Sequence, residues 1–479
     1  MKVGCDLASN QNELLDEKEF QDFFSAATIR DLSRQSLRPY GLGELPKGDD
    51  RLPYLENLFA SIRGCSYLPD LPRAYNMQNK GEGVPRVIPV LSFRDLAIYY
   101  FCYRKLEEVI SRGRVDFTFG GYSLKSVLRD QEHEELASFQ DEWDELRAAE
   151  MADFAYSGSG SVRPSLWVAE WKEFQRISYH IASTRQPLYA LKFDLSNFYD
   201  NISLGRLELK LREICDPHEN RVVDLLFVFL RYWNRGHEGY PPKSVGIPQD
   251  ESGDSSRLLA NLYLQEYDRW LKQKAESRDV IYLRYADDQV LFGNDSDLLY
   301  DLMYRAGVYL RKEGLNINAG KVRFYANMED FGKYWAFDLF ADLEGKPEAS
   351  QILHVVETLL GRCEVEQDFA WRWDGIMRRI LSVGLPNSDS DLRSRFLEFV
   401  LNPERITRLS HWHFMKIWDI SDSAEKKKLL DSIDSVAPTV PFNQFHLELR
   451  RFYSRVKLNE RMTSATTAID DRSLSAAIL

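Results

Sequence analysis

The chain has 479 residues and only five cysteines. Cys5, Cys65, Cys102, Cys215 and Cys363 are scattered with no CxxC pair, which argues against a zinc site or a disulfide framework and fits a reducing compartment. No apolar run is long enough to cross a bilayer, and the opening MKVGCDLASNQNELLDEKEF lacks the apolar core of a signal peptide. A cytoplasmic protein with no membrane partner is expected. There is no clean internal repeat, so nothing in the sequence requires a helical solenoid. A basic surplus is missing as well. The net charge of −12 argues at first against nucleic acid. That objection is local, because residues 131–154 carry nine acids against the single base Arg147 and supply −8 of the total. The simplest reading of this stretch is a solvated helix face or an insertion.

What remains has an ordinary globular composition, 44% hydrophobic, in a chain long enough for two or three domains. Residues 1–75 read as a helical extension of short amphipathic patterns broken by the prolines of RLPYLENLFASIRGCSYLPDLP. From Pro187 to about Leu343, strand-like runs (LYALKFDL, VIYLRYA, QVLFG) alternate with helical ones such as Ser256–Lys274. After Gly345 the pattern is helical only. Ile352, Val355, Val356, Leu359 and Leu360 recur at helical spacing, and Leu392–Leu401 and Phe445–Val456 behave alike. The last residues, MTSATTAIDDRSLSAAIL, are poor in large apolar groups and are expected to fray.

Within this frame, YLRYADDQVLFG (Tyr282–Gly293) places two adjacent carboxylates, Asp287 and Asp288, at the turn of an otherwise apolar hairpin. A polar turn explains one aspartate readily. In LKFDLSNFYDNI (Leu191–Ile202), Lys192 and Asp194 alternate with apolar residues, so Asp194 ends a strand as the chain turns towards a helix. Brought beside Asp287 and Asp288, it completes three carboxylates that repel one another and raise their own pKa values unless cations join them. Two Mg²⁺ ions suit such oxygens and tolerate substrate phosphates, which points to two-metal phosphoryl transfer, with Mn²⁺ as the alternative ion. A third stretch, SVGIPQDESGDSSRLLANLYL (Ser244–Leu264), is a Gly246/Pro248 loop feeding a helix, with Gln249 near its start in reach of a nucleotide or template base.

FDLSNFYDNI, GIPQ…SSRLLANLYL and YADD stand in the order and spacing of the palm motifs A, B and C of reverse transcriptases, and the chain resembles that family over about residues 75–345. NKGEGVPRVIPVLSFRDL (Asn79–Leu96) resembles the fingers segment that meets the triphosphate, with Lys80 and Arg86 in the cationic places. FTFGGYSLKS (Phe117–Ser126) resembles the next fingers motif, outside the palm. KEGLNINAGKVRFY (Lys312–Tyr325) resembles motif D, where Lys321 takes the place of a lysine thought to protonate pyrophosphate. The resemblance makes Asp194, Asp287, Asp288 and Lys321 catalytic and puts Asp194, Leu195, Asp287 and Asp288 at the metals. It puts Lys80, Arg86, Leu195, Tyr199 and Gln249 at the nucleotide, with Tyr199 as the aromatic gate that excludes a 2′-hydroxyl.

Two departures stand out: Asp250 where most relatives have glycine, and a stretch about two residues longer before SRLLAN. With the SSR form and a helical C-terminal region, they look most like the abortive-infection and defence-associated reverse transcriptases of bacteria. The resemblance implies an α+β fold: a right-hand fingers and palm core over residues 76–345, with an antiparallel palm sheet flanked by helices and an acidic insertion at 131–154. An all-helical domain, thumb-like or a helical repeat, follows at 346–479. It also implies dNTP substrates, a non-coding RNA template or template-relaxed and protein-primed synthesis, a DNA product and a role in antiphage defence; self-association stays open. Rival readings are a retron or group II intron-like enzyme, a viral-type RNA polymerase, disfavoured by Tyr199, Tyr285 and Ala286, and a non-catalytic nucleic-acid-binding scaffold. His411 and His413, spaced i,i+2, point apart on a helix and make a poor metal pair. Trp371, Trp373, Trp412 and Trp418 read first as packing anchors.

Overall fold

The computed structural model describes residues 17–24, 48–72, 74–79, 85–121, 166–185, 187–234, 246–249, 254–343, 346–365, 370–385, 390–472 and 474–475. The acidic stretch 131–154, Lys80 and Asp250 lie outside the described residues. The chain divides into two compact units. The first gathers the Glu17–Phe23 helix, Leu42–Ala74 and Pro89–Met328; the second gathers Tyr75–Ile88 and Glu329–Leu479.

Strands β1 (Ala74–Asn79) and β2 (Pro85–Val90) form a small sheet in the order β2-β1-β8 with β8 (Leu474–Ser475). The first unit is built on a five-stranded sheet of order β3-β5-β6-β4-β7: β3 (Thr118–Phe119), β4 (Tyr189–Phe193), β5 (Ile281–Tyr285), β6 (Asp288–Gly293) and β7 (Arg323–Tyr325). Strands β4 to β7 are antiparallel neighbours, as a palm sheet should be, whereas β3 runs parallel to β5. The FTFGG segment, expected outside the palm, is therefore part of its sheet. Its small residues allow this: a β-carbon on Gly120 would lie 2.8 Å from the Ala286 nitrogen.

Among the described residues, the helices Leu166–His180, Asp254–Glu276 and Ser296–Lys312 pack on this sheet, and Phe93–Arg112 packs behind Asp254–Glu276 with Asn220–Tyr232 against it, in one core with the strands. Most of the Phe93–Arg112 helix is buried, including the charged Asp95 and Glu107. Ser92 caps it, accepting from the Asp95 N–H, and the buried Asp95 carboxylate is satisfied by the Tyr67 hydroxyl, Ser92 Oγ and the Asp70 N–H. Each fully buried leucine or phenylalanine of such a core contributes roughly 1.5–3 kcal/mol. The break predicted within RLPYLENLFASIRGCSYLPDLP falls in its second half, where Pro69 and Pro72 lie outside any helix; Arg51–Arg63 is one helix, because Pro53 falls in its first turn, where a missing N–H costs no intrahelical bond.

The second unit is helical apart from its small sheet. Ile352, Val355, Val356, Leu359 and Leu360 are all buried, as their spacing predicts. The tail expected to fray instead forms the Asn459–Arg472 helix, which seats Ala465 and Ile469, one turn apart, on its buried face. Asn443 ties the helices to β1, donating to the Tyr75 carbonyl and accepting from the Met77 N–H. His411 and His413 take separate partners, Glu448 and Ser410. Trp418 packs edge-on against Phe452, and Lys416 lies over the half-exposed Trp412 ring. The side chains of Trp371 and Trp373 lie outside the description.

Candidate active site

The two carboxylates of YADD occupy a forced turn. Strands β5 and β6 pair from Ile281–Phe292 to Tyr285–Asp288, leaving only Ala286 and Asp287 to reverse the chain. Ala286 takes a left-handed conformation, φ 51°, which a residue with a β-carbon adopts at a cost of roughly 1–2 kcal/mol. Neighbouring groups hold it there. Its N–H donates to the Phe119 carbonyl at 3.0 Å, and its carbonyl accepts from Arg284 Nη1 at 2.7 Å.

Arg284 is itself fixed. Its guanidinium forms a bidentate pair with Asp268, at 2.8 and 2.7 Å, both side chains being fully buried, and also donates to Asn261 Oδ1 at 2.9 Å. The Tyr282 hydroxyl donates to Asp268, the Tyr267 hydroxyl to Gln289, and Asn261 Nδ2 to the Gly120 carbonyl. Glu170 completes the support by accepting from the N–H groups of Gly120 and Gly121. Trp171 and Phe174 clasp the Tyr285 ring, with centroids 4.7 and 5.8 Å away. None of these supports was evident in the sequence. Lys192 and Asp194 at alternate positions were the one available cue to a charged pair facing the turn.

Three aspartates meet at this turn. Asp194, just beyond β4, is buried, and Asp287 and Asp288 are half-buried. Lys192 Nζ pairs with Asp288 Oδ1, and Lys321 Nζ lies 2.5 Å from Asp194 Oδ2. Among the described residues, no cation pairs with Asp287 in this way. Burial, and then the charges of Asp288 and Asp194, push its carboxyl up to about 8. Partial withdrawal from water opposes the charge on Lys321, but the hydrogen bond to Asp194 and the fields of all three aspartates outweigh it and hold the ammonium above its ordinary range.

Among the described residues, no three His, Cys, Asp or Glu side chains form a ready metal cage. Two of the three carboxylates are instead neutralised by lysines. The donor set nevertheless suits a hard divalent cation: the Asp194 carboxylate is buried beside the Asp287 carboxyl, whose ionisation the charges of Asp288 and Asp194 oppose and a cation would favour.

The wall beside the aspartates comes from two further motifs. Asn197, at φ 45°, turns the chain into the short Phe198–Asn201 helix that carries the half-buried Tyr199. The Tyr199 carbonyl accepts from the Ile247 N–H at 3.1 Å, and any side chain on Gly246 would collide with that same carbonyl oxygen. The Gly246–Gln249 loop is thus seated directly on the Tyr199 backbone. Ser256 anchors its far end, donating to the Pro248 carbonyl and meeting the Tyr99 hydroxyl at 2.8 Å. Gln249 is half-buried. Leu195 is buried and bridges to Ile317, while the Asn318 N–H donates to the Asp194 carbonyl at 2.7 Å, so the loop carrying Lys321 is pinned to the strand end carrying Asp194. Arg86 is exposed on β2, in the part of that strand belonging to the second unit.

Residues 131–352 match the family of reverse transcriptases, RNA-dependent DNA polymerases. The match takes in all three aspartates, Tyr199, Gln249 and Lys321, and begins beyond Arg86. A 121-residue stretch is 29% identical to the Retron Ec83 reverse transcriptase of Escherichia coli, covering 24% of this chain and 35% of that protein, so the chain spans about a third of that relative's length. Among solved structures, telomerase from Candida albicans in complex with a fragment of telomeric RNA is similar at 12% identity and a TM-score of 0.32, over 79% of this chain and 70% of that one. Apo telomerase from Candida tropicalis gives 13% and 0.29, over 94% and 84%. Residues 131–352, which contain the aspartate cluster, are therefore similar to the reverse transcriptase family.

Proposed function

We propose that this protein is an RNA-directed DNA polymerase that adds dNTPs at the Asp194–Asp287–Asp288 cluster. The observation that carries the reading is the convergence of three carboxylates on a braced hairpin turn, with Asp287 held near 8 and two lysines balancing its neighbours. Asp194, Asp287 and Asp288, with Leu195 beside them, would hold Mg²⁺. When bound, two such ions activate the primer hydroxyl and stabilise the leaving pyrophosphate. Lys192 and Lys321 keep the cluster from flying apart before that, and each must release its carboxylate for the cluster to close. Lys321, protonated throughout the physiological range, is then free to give its proton to pyrophosphate. Tyr199, with its backbone locked to the Gly246–Gln249 loop, is the wall that excludes a 2′-hydroxyl. Gln249 touches the nucleotide or template base.

The similarity to a retron reverse transcriptase supports a role in antiphage defence, with a non-coding RNA as template. One observation favours a second reading, a nucleic-acid-binding scaffold: two of the three carboxylates already have lysine partners. Extension of a primer on RNA by the purified full chain with Mg²⁺, together with sequencing of any nucleic acid that co-purifies, separates the two. Incorporation supports the polymerase. Bound RNA without incorporation under Mg²⁺ or Mn²⁺ supports the scaffold.

A further inference from the structure

The helix Ser296–Lys312 packs Leu299, Leu302, Ala306 and Leu310 into the core of the first unit. Its opposite face is mixed, as surface helices seldom are. Beside Asp297, Arg305 and Arg311 it exposes Tyr300, Tyr304 and Val308, one turn apart, at 43%, 70% and 44%. Tyr300 stacks on Phe324 of β7, centroids 5.5 Å apart, and Phe324 stacks on Tyr189 at the same distance, next to Leu188, which is 56% exposed. Single exposed apolar residues are ordinary, but a continuous ridge resting on a stacked aromatic floor marks a surface that something covers.

The charges on this face say what covers it. At about 100° per residue, Asp297, Tyr300, Tyr304, Val308 and Arg311 all project within about 40° of one line along the helix. Tyr304 is at the midpoint of this set. Tyr300 and Val308 stand four residues either side of it, and the exposed Asp297 and Arg311 seven residues either side. An acid at one end and a base at the other, symmetric about the centre, is the pattern of a self-complementary surface. In a two-fold, antiparallel contact residue i meets residue j and j meets i.

We infer that the Ser296–Lys312 face is a homodimer interface, in which this helix pairs antiparallel with the same helix of a second copy about a two-fold axis at Tyr304. Tyr300 of each copy then packs on Val308 of the other, and Asp297 meets Arg311 at both ends. These end charges lie about 10 Å from the axis along the helix, so they meet only at a shallow crossing near 20°, the class in which three-residue ridges fill four-residue grooves. Asp301 is not needed, since Arg278 and Arg305 of its own chain already hold it. A single helix pair flanked by Leu188 and Tyr189 falls at the small end of specific interfaces, roughly 1,000 Å², so the dimer should depend on concentration. This inference is independent of the polymerase reading.

Sedimentation velocity of the full chain over increasing concentration tests it, with thermal melts confirming that each surface variant folds. The wild type should move from monomer to dimer. Tyr304→Arg should weaken the dimer at least tenfold, and Asp297→Arg and Arg311→Asp should each weaken it measurably. The double variant Asp297→Arg/Arg311→Asp, which exchanges the charges in both copies, should recover the dimer. A wild type that stays monomeric, an oligomer indifferent to Tyr304→Arg, or a charge exchange that restores nothing would overturn the proposal. So would a monomer that uses Tyr304 to bind single-stranded nucleic acid.

Discussion

Lys321 Nζ lies 2.5 Å from Asp194 Oδ2, so the lysine proposed to protonate the leaving group begins as the counter-ion of a proposed metal ligand. A divalent metal held by Asp194 would have to displace Lys321, which would free the lysine for the leaving group.

Removing this lysine has two separable consequences. Lys321→Ala should lower the maximal rate of incorporation by about 10²–10⁴, the usual range for loss of a general acid. It should also let metal bind Asp194 without displacing an ammonium, so the apparent Mg²⁺ affinity should rise. Metal titrations of single-turnover rate read both. A fall in rate and metal affinity together would make Lys321 a metal-site support instead.

The pH dependence of stability follows from Asp287. Its carboxyl is held near 8 in the fold against an ordinary value of 3.8, so between those limits the unfolded chain has released a proton that the folded chain keeps. Stability from this group is therefore greatest at the acid end and is lost as pH rises through 8. Melts of metal-free protein should show this decline, and Asp287→Asn should flatten it. Mg²⁺ should stabilise more at pH 8.5 than at pH 6, since loading requires the proton to leave.

The Arg284–Asp268 pair predicts a split between folding and activity. Arg284→Met alone leaves Asp268 buried and unpaired and should destabilise the protein by about 3–5 kcal/mol. The double variant Arg284→Met/Asp268→Leu should regain most of that stability. It should remain slow in incorporation, because nothing then donates to the Ala286 carbonyl that sets the turn. Equal recovery of rate and stability would show the pair to be purely structural.

Much of this architecture was legible in the sequence. Alternation marked the strands, and the i,i+3,i+4 spacing of Ile352 to Leu360 marked a buried helix face. The meeting of Asp194 with Asp287 and Asp288 could be read because two motifs each placed a carboxylate at a strand end. The bracing of the turn could not. Arg284, Asp268, Asn261 and Gln289 come from a helix and two strands, and no local pattern distinguishes a buried ion pair from surface charge. The tail was misread for a related reason: β8 pairs with β1, some 400 residues away, and the Asn459–Arg472 helix is stabilised by packing through Ala465 and Ile469 rather than by its own apolar content.

Tyr199 predicts sugar selection. Tyr199→Ala should raise the ratio of ribonucleotide to deoxynucleotide incorporation by at least about tenfold, since exclusion of one hydroxyl by shape is worth one to two orders of magnitude. Single-nucleotide extension with both sugars measures it. An unchanged ratio would leave Tyr199 as a packing residue that seats the Gly246–Gln249 loop.

The central claim is that the aspartate cluster performs phosphoryl transfer. It is tested most directly by primer extension with dNTPs and Mg²⁺, comparing the wild type with Asp194→Asn, Asp287→Asn and Asp288→Asn, each confirmed folded by its melt. The wild type should incorporate, and each variant should lose at least about 10³ in rate, because a neutral amide cannot replace a metal-binding carboxylate. Near wild-type incorporation by any one of the three folded variants would contradict the assignment.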